Sequence, residues 1–63
     1  MKYLEMAKAL FTQPLTLEEL HKLDQLERQA TGKERMFIGA LWDAAYAAVE
    51  PAVLHQAREA GLL

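Results

Sequence analysis

The chain contains no cysteine and no serine, and just three glycines and two prolines among its 63 residues. The first absence removes disulfides, thiolate metal ligands and thiol nucleophiles, and leaves the redox compartment unmarked. The second removes a common hydroxyl nucleophile, and no glycine-rich stretch could cradle a phosphate. Histidine is scarce as well. His21 has Glu18 and Asp24 three residues to either side, but three polar residues on one helix face are ordinarily its wet side rather than a metal corner. His55 with Glu59 four residues on reads as a surface pair. So short a helical chain has little room for a pocket of about 300 Å³, and no catalytic, cofactor or metal site is expected.

An excess of one charge is also missing. Seven basic and nine acidic residues give a net charge of −2 and a pI near 5.6, with the signs interleaved. A surface that binds a phosphate backbone needs concentrated positive charge, whereas the densest basic spot, Arg28, Lys33 and Arg35, has Glu27 and Glu34 among its members and reads first as a solvated helix junction. Long apolar runs are missing too: Asp43 and Glu50 divide the best candidate before it reaches the roughly 18 residues of a membrane span. Glu5 and Lys8 inside the opening MKYLEMAKALF argue against a signal or transit peptide. A cytoplasmic location is the expectation.

What is present is helical periodicity, in a composition 52% apolar and 25% charged that suits a folded domain. The chain reads as one all-α domain over residues 1–63, with three to four short helices at about 2–12, 17–30, 32–50 and 51–60. Tyr3, Leu4, Ala7, Leu10 and Phe11 form the apolar stripe of the first, which Gln13 and Pro14 end. Thr16-Leu17-Glu18-Glu19 is a capping box opening the second. Leu17, Leu20, Leu23 and Leu26 then wind through half its circumference, so it should touch two partners. Glu27 falls between Leu20 and Leu23 on the helical wheel, and reads as a solvated residue near the helix end. Thr31 to Glu34 reads as another capping box.

Eight of the eleven alanines lie between Thr31 and Gly61. At about 100° per residue, Met36 to Val49 is apolar almost all round, apart from a wedge of Gly39, Asp43, Tyr46 and Glu50 with Trp42 at its margin. One side is small (Ala40, Ala44, Ala47, Ala48) and the other large (Ile38, Trp42, Val49, Val53). Pro51 should kink or break the helix, and Gly61 should close the last one. A chain this short buries only about 60% of the surface its unfolded form exposes. Self-association is therefore expected to complete the small bundle, through Phe37, Ala40, Ala44 and Ala48. The wedge of Gly39, Asp43, Tyr46, Glu50 and Trp42 reads either as a protein-docking strip, since Trp and Tyr are enriched in binding hot spots, or as the wet side of a core helix.

Two resemblances to small bacterial helical regulators accompany these patterns. Tyr3-Leu4, Thr16-Leu17-Glu18, the Thr31 to Glu34 box and Asp43 with Ala47 and Val49 are similar, with gaps, to the haemolysin-expression modulator family (Hha, YmoA). That resemblance implies a four-helix protein that binds the nucleoid protein H-NS, with Asp43 as the residue that carries over; the family has basic residues after this aspartate, where this chain has Ala44 and Ala45. Met6-Ala7-Lys8, Thr12-Gln13 and Leu15-Thr16-Leu17 resemble part of the first helix of Rop, an RNA-binding hairpin that dimerises into a four-helix bundle. The expectation is a non-catalytic helical regulator, inhibitor or adaptor of the kind bacteria and phages encode. It would act as a homodimer that binds a protein. The alternative is a nucleic-acid regulator that adds Arg28, Lys33 and Arg35 across a dimer.

Overall fold

Each helix begins and ends where backbone chemistry demands it. The computed structural model describes residues 1–62 and contains α1 (Lys2–Leu10), α2 (Leu17–Gln29), α3 (Gly32–Ala48) and α4 (Pro51–Glu59), with no strand among the described residues. The all-α expectation holds. The helix ends retreat by one or two residues from those expected. Phe11 and Thr12 tighten into a turn by donating to the Lys8 and Ala9 carbonyls, at 3.1 and 3.2 Å. Val49 and Glu50 both take extended angles ahead of the proline, because the ring of Pro51 disfavours helical geometry in the residue before it. The break at Pro51 is complete, and the proline becomes the first residue of α4, where its missing amide costs nothing.

The second helix starts as its capping box requires. The Glu19 carboxylate accepts from the Thr16 amide at 3.0 Å and from the Thr16 hydroxyl, and its side chain is buried against the turn. The hydroxyl, followed by the amide, holds the Glu19 carboxyl below its ordinary value of 4.5. A depressed pKa in the folded state means the stabilisation is complete above the ordinary value and is lost as pH falls through the folded one. Replacing Glu19 by Gln is therefore expected to flatten the fall in melting temperature as pH drops below about 4.5. Identical acid slopes for parent and Glu19→Gln would show that this carboxylate does not contribute.

The third helix starts differently from the sequence reading. Thr31 is extended and occupies the cap position, but its side chain makes no capping hydrogen bond. Glu34 does not return to the Thr31 amide; its Oε2 accepts from the amides of Tyr3 at 2.7 Å and Leu4 at 3.1 Å. The physical reason lies in α1. That helix is preceded by Met1, which has no side-chain acceptor, so its first amides are orphaned. A carboxylate brought there by tertiary packing gains two charge-assisted bonds and the positive end of the helix dipole. Glu34→Ala should cost about 0.5–2 kcal/mol, the range for loss of a helix cap. The loss should be local: amide exchange should accelerate at Tyr3 and Leu4 before it does in α2, and uniform acceleration would contradict this cap.

Packing follows the apolar stripes. Leu4, Ala7 and Leu10 of α1, Leu20, Leu23 and Leu26 of α2, Ala30, Ile38 and Ala45 of α3 and its approach, and Ala57 of α4 form one buried cluster. Helices α1, α2 and α3 pack against one another, and α4 turns back after the break to lie on α2. The leucine row of α2 thus serves three neighbours rather than two. Left-handed backbone occurs at Gly32 (φ +58°), which redirects the chain between α2 and α3, and at Gly61 (φ +78°). At Gly61 the amide donates to the Arg58 carbonyl and that of Leu62 to Ala57, a pair that closes α4 and brings Leu62 against the core. No helix among the described residues is long and apolar enough to cross a membrane.

Candidate interaction surface

The large and small sides of α3 meet different fates. Ile38 and Ala45 are buried, and Leu41, Trp42 and Val49 pack partly against the core. The small side is uncovered: Ala40, Ala44, Ala47 and Ala48 are exposed, and at the N-terminal end of the same side Met36 and Phe37 are 71% and 47% exposed. Asp43 borders this apolar stripe and is exposed.

The polar wedge splits in two. Gly39 and Trp42 face α2, where Glu27 stands between them. The Trp42 Nε1–H donates to Glu27 Oε1 at 2.9 Å, and a Cβ built on Gly39 would lie 3.0 Å from Glu27 Oε2. Glycine lets the carboxylate approach the helix backbone, and alanine there would push it away from the indole. Asp43, Tyr46 and Glu50 point outward, with the Tyr46 ring tilted against Trp42 at a centroid distance of 5.9 Å. Trp42 is therefore half-buried, anchored at its polar edge and covered on one side by a tyrosine that is itself 45% exposed.

Glu27 escaped the sequence reading as an anchor, although its wheel position between two core leucines was the available sign. Its partner lies 15 residues away, beyond the reach of local spacing. The basic triple fares differently. Arg28 is held by Asp24 through a 2.9 Å Nε to Oδ2 bond, while Lys33 and Arg35 are exposed. The carboxylates beside His21 are engaged elsewhere, Glu18 with Lys22 at 3.5 Å and Asp24 with Arg28. No group of three metal-binding side chains gathers among the described residues. His55 and Glu59 pair at 3.0 Å on the exposed side of α4. Between α1 and α2 lies a shallow groove of about 230 Å³ lined by Met6, Leu10, Leu26, Lys22, Gln25 and Gln29. No family model, curated protein or solved structure matches the chain.

Proposed function

We propose that this chain is a non-catalytic helical module that works as a homodimer and regulates or links other components by binding a protein. The observation that carries the reading is the open side of α3, where Met36, Phe37, Ala40, Ala44, Ala47 and Ala48 form one exposed apolar stripe on the longest helix of the fold. Burying such a stripe against a second copy is the economical way to stabilise a domain this small. The groove between α1 and α2 fits a binding role better than a catalytic one, because its lining contains no histidine, carboxylate or hydroxyl. Beside the stripe, Asp43, Tyr46 and Glu50 offer an acidic and aromatic strip for a further protein, backed by Trp42.

Light scattering after gel filtration tests the dimer. The parent chain is expected at twice 7.1 kDa. Ala44→Glu, which places a charge in the middle of the stripe, should convert it to a folded monomer, since Ala44 is exposed and contributes nothing to the core. Asp43→Ala should remain folded and dimeric, with stability within about ±0.5 kcal/mol, while no longer retaining in a pull-down a protein that the parent chain retains. A monodisperse 7.1 kDa parent at micromolar concentration would refute the dimer.

A further inference from the structure

The open stripe of α3 is not uniform along its length, and its asymmetry carries information about what covers it. Its two large side chains, Met36 and Phe37, lie at one end, and Ala44, Ala47 and Ala48 lie at the other, with Ala40 between them. On a helical wheel these six positions fall within about a third of the circumference. Lys33 lies on the centre line of the same stripe, beyond Met36. Glu50 is exposed just beyond Ala48, at the break before α4. Among the described residues, neither Lys33 nor Glu50 forms an ion pair within the chain.

A second copy of this chain can meet the stripe in two ways. Parallel pairing about a two-fold axis would oppose Phe37 to Phe37 and Met36 to Met36, holding the helices apart at one end and leaving alanine facing alanine across a gap at the other. It would also set Lys33 against Lys33. Antiparallel pairing about a point midway between Ala40 and Ala44 opposes Ala40 to Ala44, Phe37 to Ala47 and Met36 to Ala48. Large then meets small toward both ends, and alanine meets alanine at the centre, where the two helices approach most closely. In the same register Lys33 lies next to Glu50 of the partner subunit, so both ends of the seam carry opposite charges.

We infer that α3 pairs antiparallel with α3 of a second copy, with Met36 and Phe37 of each protomer seated on Ala48 and Ala47 of the other and Lys33 beside Glu50 of the partner subunit. This rests on the dimeric reading above and adds its orientation, register and ionic ends. The seam is self-complementary, which a stripe shaped for an unrelated protein has no need to be.

Because the chain has no cysteine, introduced thiols report the orientation directly. Full-length Met36→Cys and Ala48→Cys chains, one isotopically labelled, are mixed and oxidised, and the cross-linked species are weighed. A disulfide needs Cα atoms within about 7 Å, whereas residues 36 and 36 of an antiparallel pair are separated by about 18 Å along the axis. The mixed cross-link should therefore form while each variant alone fails to form one. Cross-links of each variant with itself would overturn the antiparallel arrangement and leave the dimer standing. A dimer that forms no cross-link in any mixture would place the interface elsewhere, and would likewise overturn the inference without touching self-association. A monomeric parent would overturn both, and assign the stripe to a different protein or to a lipid surface. In a second arm, Lys33→Glu should weaken dimerisation by about 2- to 30-fold, as loss of two exposed ion pairs, one at each end of the symmetric seam, does. Lys33→Glu combined with Glu50→Lys should restore it, and failure of that rescue would count against the register.

Discussion

Truncating Leu23 to alanine is expected to remove about 2–5 kcal/mol, enough to leave much of this domain unfolded. Leu23 is 1% exposed and, with Ile38, is the largest fully buried side chain. It lies in the helix that packs against all three others, so a cavity there is bordered on several sides and collapses poorly. Domains of this size hold little stability in reserve, and the loss approaches the whole. Urea denaturation followed by circular dichroism checks it. Ile38→Val, which removes one methylene, should cost about 0.5–1.5 kcal/mol and keep the fold. A Leu23→Ala midpoint equal to the parent's would mean that the core relaxes around the gap. Both measurements should be made at several protein concentrations, since a dimer makes apparent stability depend on concentration.

Trp42→Ala should cost about 3 kcal/mol, the low end for a large aromatic, because the ring is half-buried rather than enclosed. Two losses combine: the contact area against the core and the donor to Glu27. Trp42→Phe separates them. Phenylalanine keeps most of the area but leaves the half-buried Glu27 carboxylate without its indole partner, at about 1–2 kcal/mol. Combining Trp42→Phe with Glu27→Leu should then cost less than the two single changes together, the signature of residues in contact. Simple additivity would show that the 2.9 Å bond is energetically idle. As this is the one tryptophan in the chain, its fluorescence reports the same site in the parent protein.

The features legible in the sequence were those set by residues close in the chain. Four helices, the Thr16 to Glu19 box, the break at Pro51 and the left-handed Gly61 all follow from chemistry within five residues or so, where propensity and backbone sterics decide. The burial of Leu4, Leu10, Leu20, Leu23 and Leu26 follows from helical spacing in the same way. Two carboxylates were misplaced because their partners are remote. Glu34 satisfies the local pattern of a capping box, yet the orphaned amides of α1, which no local residue can reach, compete for it and win. Glu27 looks like a solvated end residue until α3 lays Gly39 and Trp42 across it. The wedge on α3 divided for a related reason: a helical wheel records direction but not the tilt of the neighbouring helix. Gly39 and Trp42 consequently belong to the α2 contact and Asp43, Tyr46 and Glu50 to the outer surface.

The bond from Glu34 to the head of α1 spans 31 residues, and that sets an order of events. A nine-residue helix is too short to persist alone in water. Its cap is the third residue of a helix that is synthesised well after it. While the chain is being made, α1 must therefore wait, its stripe of Leu4, Ala7 and Leu10 uncovered, until α2 is complete and α3 has begun. Folding should nucleate in α2 and α3, whose shared contacts are close in sequence, with α1 docking late. In kinetic terms, changes in α1 should speed unfolding and leave the folding rate almost untouched. The same segment should be the first to open in the finished protein, and a protease should find its earliest cut there.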